Sequence, residues 1–203
     1  MKKIVISTLL ATTLLLSNSS ANNSSINSTS KIVESYEKLA SQGEIEAMFN
    51  LGLIYLTGDG ANQDYTKAKE WFLKAANKND TMSAYNLALI YKNGLGVPKN
   101  DKEAYKYFLI AANKNYAQAQ YMLGNMIEKG QGAKKDLKEA FSWFLKAAKQ
   151  GHILSEYRVG KMYRLGEGVA KSDTEAKKWY ELSANKGNAF AQVNLGMMYK
   201  QGV

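Results

Sequence analysis

The chain has 203 residues, with 27 Lys+Arg against 18 Asp+Glu, one His and no Cys, for a formal charge of +9. That length suits one or two domains. Without cysteine there is no disulfide framework, thiolate metal site or thiol nucleophile, and the lone His152 leaves no set of imidazoles for a catalytic zinc.

The N-terminus has the pattern of an export signal. Met1, Lys2 and Lys3 give a positive start, Ile4 to Leu16 an apolar run, and Ser19 and Ala21 a small-x-small site, so cleavage is expected after Ala21. The run has 13 residues, fewer than the roughly 20 that a membrane-crossing helix needs. Residues 22–30 form a polar Ser/Asn-rich linker, and no Cys follows the run for lipid attachment. A secreted or periplasmic location is therefore expected. Loss of residues 1–21 removes two lysines and no acids, leaving 25 basic residues against 18 acidic ones, or +7.

The rest of the chain repeats with a period of 36. Gly52, Ala88, Gly124, Gly160 and Gly196 hold one register, and Tyr55, Tyr91, Ile127, Tyr163 and Tyr199 another. The loop glycines Gly58 to Gly202 and Gly60 to Gly168 keep the same step, as do the aromatics Trp71, Tyr107, Trp143 and Trp179. This phase predicts an N-terminal capping helix over 31–43, repeats over 44–79, 80–115, 116–151 and 152–187, and a partial repeat of one helix over 188–203.

Each repeat reads as a helical hairpin. One proline and 16 glycines in a chain that is 45% hydrophobic argue for helices punctuated by glycine turns. In the first helix Leu51, Ile54 and Tyr55 recur with helical spacing and stop at a Gly-x-Gly loop. In the second, Asp64, Asn100, Asp136 or Ser172 supplies an N-cap, and Ala68, Trp71, Phe72, Ala75 and Ala76 form an apolar stripe. The small residue in the middle of the first helix is expected to admit the alanine face of the second. One hairpin cannot bury its stripe alone, so the hairpins should stack into an all-α, right-handed superhelical solenoid. The last helix lacks a following partner, which should uncover Leu195, Met198 and Tyr199 and offer a face for self-association.

The pattern Ala47-x4-Gly52-x2-Tyr55-x2-Gly58-x-Gly60, followed by Ala68-x2-Trp71-Phe72-x2-Ala75-Ala76, resembles the Sel-one-like repeat (SLR) family, relatives of tetratricopeptide repeats. The resemblance extends from Lys31 to Val203, with mild departures at Ala88, Ile127, Asn79 and Asn115. It implies an α/α superhelix that acts as an adaptor or assembly scaffold. A cysteine-rich secreted subgroup is described as binding β-lactams, with weak β-lactamase activity in some members. This chain lacks the cysteines of that subgroup, and β-lactam chemistry is the one enzymatic alternative that the resemblance raises.

The residues themselves carry no sign of an enzyme. His152 lies between repeats, where a solvated loop residue is expected, and no nucleophile and orienting group stand beside it by spacing. The Gly-x-Gly loops lack the preceding strand and following Gly-Lys-Ser/Thr of a phosphate cradle. By analogy with tetratricopeptide stacks, the first helices line a concave face whose variable residues meet a protein or peptide ligand. The candidates are Asn50, Leu53, Tyr85, Asn86, Tyr121, Asn125, Tyr157, Arg158 and Lys161. Tyr85, Tyr121 and Tyr157 share one register, which fits packing between repeats as well as ligand contact. Asn50, Asn86 and Asn194 share another, from which amides can hold an extended peptide backbone. Arg158, Lys161 and Arg164 fall three apart, and Arg158 with Lys161 is the expected grip for a carboxylate of an acidic partner. No cofactor and no nucleic acid are expected; basicity allows weak, salt-sensitive attraction to anionic lipid or cell-wall polymer.

Overall fold

The computed structural model describes residues 31–202, so the expected signal, its cleavage point and the 22–30 linker lie outside the described residues. Helix α1 occupies 31–41. Nine helices follow: α2 (Ile45–Thr57), α3 (Tyr65–Asn77), α4 (Thr81–Asn93), α5 (Asp101–Asn113), α6 (Ala117–Lys129), α7 (Leu137–Lys149), α8 (Ile153–Leu165), α9 (Asp173–Asn185) and α10 (Ala189–Lys200). Each packs chiefly on its neighbours in sequence, and α2 also meets α4. No strand occurs among the described residues. The fold is an all-α solenoid of helical hairpins, in which the even-numbered helices from α2 are the first helices and the odd-numbered ones from α3 the second.

Local chemistry sets the helix ends. Asp64 accepts from the N–H groups of Thr66 and Lys67, both at 3.0 Å, and Asn100 from those of Lys102 and Glu103, both at 3.1 Å. Asp136 and Ser172 cap α7 and α9 in the same way. These side chains satisfy amide groups that have no partner inside the helix. At the other end, α2, α4, α6 and α8 stop on Gly58, Gly94, Gly130 and Gly166, all left-handed with φ near +70° to +78°. Glycine takes that conformation without the steric cost of a Cβ.

Packing inside a hairpin runs through the small residue of the first helix. A Cβ on Gly52 would sit 2.5 Å from the Phe72 ring, and one on Gly124 would sit 2.8 Å from Phe144. Gly160 faces Tyr180 in the same way, also at 2.8 Å. The glycine thus makes room first for an aromatic ring of the second helix, and at Gly160 also for the carbonyl of Ala176 in its alanine face, 3.2 Å from the Cβ position. Phe72, Phe108, Phe144 and Tyr180 are fully buried, and the alanines Ala68, Ala75, Ala104, Ala111, Ala140 and Ala147 fill the core around them.

Packing between hairpins uses the second loop glycine. A Cβ on Gly132 would come within 2.2 Å of the Asp101 carbonyl oxygen, and one on Gly168 within 2.1 Å of that of Leu137. Each of these turns therefore lies directly on the start of the preceding second helix.

The last helix departs from expectation in detail. Met198 is fully buried and Leu195 is half-buried, because α9 covers them. Tyr199 is exposed as expected, the other exposed apolar side chains of α10 are Phe190, Val193 and Met197, and nothing lies within 4 Å of a Cβ built on Gly196.

Candidate functional site

The first helices bring four of the nine candidate residues together. Asn50 and Leu53 from α2 and Tyr85 and Asn86 from α4 line one groove of about 520 Å³. Phe49, Ile54 and Met82 extend its apolar wall, Tyr36 of α1 and Tyr116 before α6 add rings, and Asp59 stands in the turn after α2. Helical spacing explains the grouping, since residues three and four apart share a face and the 36-residue period sets α4 beside α2 in register.

Asparagine amides of the first helices are partly used by their own helices. Asn86 Nδ2 donates to the Met82 carbonyl at 3.0 Å, Asn125 Nδ2 to that of Tyr121 at 3.0 Å, and Asn194 Nδ2 to that of Phe190 at 2.8 Å. Each keeps its Oδ1 as an acceptor.

The three tyrosines of the ladder sit in the joints between repeats. Tyr85 packs on Phe108 with ring centroids 5.6 Å apart and edge-on against Tyr116 at 5.1 Å. Tyr121 meets Phe144 at 5.9 Å and His152 at 4.9 Å, and Tyr157 meets Tyr180 and Phe190, each at 5.9 Å. Burial, with Tyr116 beside it, raises the pKa of the Tyr85 hydroxyl.

The basic triplet is dispersed. Arg158 forms an ion pair with Glu128 of α6, its guanidinium lies 5.1 Å from the Phe144 ring centre, and its side chain is only 19% exposed. Arg164 instead donates to Gln201 Oε1 beyond α10 at 2.6 Å. Lys161 is half-buried on the same helix. The expected concentration of positive charge therefore does not form: one guanidinium is spent on the preceding repeat and the other on the following one. On the second helices, Lys74 lies 3.8 Å over the Trp71 ring and Lys146 lies 3.7 Å over that of Trp143, so these charges also sit on the protein's own surface.

His152 and Ser155 approach the geometry of a base and nucleophile, with Nδ1 2.9 Å from Oγ. Ser155 is fully buried, however, and Nδ1 also accepts from its backbone N–H at 3.3 Å. The pair is a helix cap. His152 is consequently half-buried rather than the solvated loop residue expected, and burial lowers its pKa. Among the described residues no group of three or more His, Cys, Asp or Glu is placed to hold a metal, and no helix is long and apolar enough to cross a membrane.

With the hairpin geometry in place, the comparison with known families is decisive. The Sel1 repeat family pattern matches residues 45–80, 81–116, 117–152, 153–188 and 189–203. The chain belongs to the Sel1 repeat family. Repeats of this kind generally act as scaffolds for protein–protein interaction. Among solved structures it is similar to c5321, a protective antigen present in uropathogenic Escherichia coli strains and displaying an SLR fold. There identity is 37% and the TM-score 0.82, over 84% of this chain and 37% of that one. It is also similar to a Sel1 repeat protein from Oxalobacter formigenes, at 33% identity and TM-score 0.72 over 84% of this chain and 76% of the other. Helicobacter pylori cysteine rich protein B aligns at 26% identity and TM-score 0.52, over 66% of this chain and 96% of that one. No curated protein matches the chain.

The Sel1 repeats also carry links that the 36-residue period does not reveal. Glu156, almost fully buried on α8, forms an ion pair with Lys186 after α9, and that ammonium also donates to the Gly151 carbonyl at 3.2 Å. One repeat earlier the same two positions hold Gln120 and Gln150, where Gln150 Nε2 donates to Gln120 Oε1 at 2.7 Å. Both pairs are 30 residues apart, as are Glu128 and Arg158. A search for complementary side chains at that spacing would have found them.

Proposed function

We propose that this Sel1 repeat chain is an exported scaffold that holds a protein or peptide partner along its first helices, with the α2/α4 groove as the principal seat. The observation that carries the reading is the convergence of Asn50, Leu53, Tyr85 and Asn86 on one apolar groove of about 520 Å³. Such clefts, apolar with a few placed polar groups, are where ligands are commonly bound. Export rests on the sequence of Met1 to Ala21, and the scaffold role on the family. The hollow side of the superhelix is the natural path for a partner longer than the groove, passing Tyr121, Asn125, Tyr157, Arg158 and Lys161.

The test is co-purification from the envelope fraction of the producing cell. The double variant Asn50→Ala/Leu53→Ala should recover at least about tenfold less partner than the parent while melting at a similar temperature. Lys161→Glu is the cleaner probe of the distal end, because Arg158 is already held by Glu128. Full capture by the double variant, together with loss in Lys161→Glu, would move the seat away from the groove.

A further inference from the structure

The groove contains a charge that its role as a scaffold does not explain. Although the chain has a net charge of +9, no Lys or Arg among the described residues lines the groove, and Asp59 is the single charged side chain among the described residues of its wall. Asp59 is exposed, and its carboxylate has no hydrogen-bond or ion-pair partner among the described residues, while its backbone N–H donates to Thr57 Oγ1 at 3.2 Å. Around it the wall is neutral: Phe49, Leu53, Met82 and Tyr85 present carbon surface, and Asn50 and Asn86 present amides. We infer that the groove selects a partner segment in which a large aliphatic or aromatic side chain stands within a few residues of a lysine or arginine.

The inference rests on the scaffold reading and gives its ligand a chemistry. Apolar surface leaving water supplies the attraction, and the groove volume holds only a few side chains. Asp59 then discriminates. A basic neighbour gains a countercharge, whereas an acidic one is set against a like charge with no cation in the wall to relieve it. The effect is local, because a charge at the groove is felt over a screening length of only about 8 Å at physiological salt. Because Asp59 is solvated, its share is modest, and most of the affinity belongs to the apolar wall.

Panning a random decapeptide phage library against the purified immobilised chain tests this. Expected is enrichment of sequences joining Leu, Ile, Phe, Tyr, Trp or Met to a nearby Lys or Arg. A selected peptide, synthesised and measured by fluorescence anisotropy, should bind Asp59→Asn about two- to fivefold more weakly and Asp59→Lys more weakly still. Met82→Lys, which puts a cation into the apolar wall, should cost at least tenfold. Melting curves matched to the parent separate lost binding from lost fold. Enrichment of acidic sequences whose capture depends on Lys161 would overturn this inference and leave the scaffold reading intact. Selection of peptides indifferent to both Asp59 and Met82 substitutions, or no selection at all, would also overturn it, and the envelope co-purification then judges the scaffold reading separately.

Discussion

The first two repeats and the next two share a backbone plan but differ in how they use polar side chains. Between α2 and α4 the exposed row is carbon and neutral amide, open enough to leave a groove. From α6 onward the register of Asn50 and Asn86 carries Arg158, which is tied to Glu128, and elsewhere on the neighbouring helices Gln120 pairs with Gln150 and Glu156 with Lys186. The contrast teaches that charge counted from sequence is not charge available for binding. In the second half Arg158 and Lys186 are spent as mortar between helices, and the half without those two ion pairs is the one with room for a guest.

The sharpest way to break the comparison is to attack the hairpin packing that both halves share. Gly124→Leu places a branched side chain where the fully buried Phe144 ring already stands 2.8 Å from a Cβ, and should cost about 2–3 kcal/mol in chemical denaturation. Gly196→Ala is the control. With nothing within 4 Å, it should hold or raise stability, by up to the ~1 kcal/mol by which alanine outranks glycine in a helix. Equal losses at the two positions would show that the glycines serve the backbone and not the ring.

A second test converts one region into the other. Glu156→Gln leaves Lys186 without its counterion at a nearly buried position, and should destabilise by about 2 kcal/mol, below the figure for fully buried pairs because the Lys186 side chain is 38% exposed. Adding Lys186→Gln recreates the pair found at Gln120 and Gln150 and should restore most of that loss. A double variant no better than the single one would mean that the two links are not equivalent.

The smallest effect is a pH response confined to the third joint. His152 caps α8 only while Nδ1 is free to accept, and burial holds its pKa below the ordinary value of 6.5. The unfolded chain therefore binds that proton more readily than the folded one. The stabilisation is complete above about pH 6.5 and is lost as the pH falls through the lowered folded value. His152→Asn, which copies the Asn188 cap one repeat later, should flatten thermal melts between pH 7 and pH 5 relative to the parent.

The architecture was legible because a period of 36 fixes phase, and phase fixes which residues share a face. The caps Asp64, Asn100, Asp136 and Ser172 were legible for a related reason, since capping needs only near neighbours in sequence. Asn79 and Asn115, where the family favours glycine, adopt positive φ at +67° and +60°, as asparagine tolerates. What the sequence concealed were contacts set by the offset between helices. Nothing local to Arg158 announces Glu128, and nothing local to His152 announces that Tyr121 will lie across its ring. The same reason hid the groove, because Asn50 and Asn86 were recognisable as one row but Asp59 belongs to the turn that joins it only in three dimensions.

The turn glycines that press on the preceding carbonyls bear on how such a molecule changes length. Gly132 against Asp101 and Gly168 against Leu137 make each seam a copy of the last, whereas Gly60 has no nearer atom than Ile54 Cγ2 at 3.9 Å. Duplicating or excising 36 residues, or a whole multiple of 36, rejoins equivalent mating surfaces, while a different increment inside a helix throws its packing face out of step. The length of this array is therefore quantised in steps of 36 residues. Evolution can add or remove whole courses of masonry without redesigning the wall.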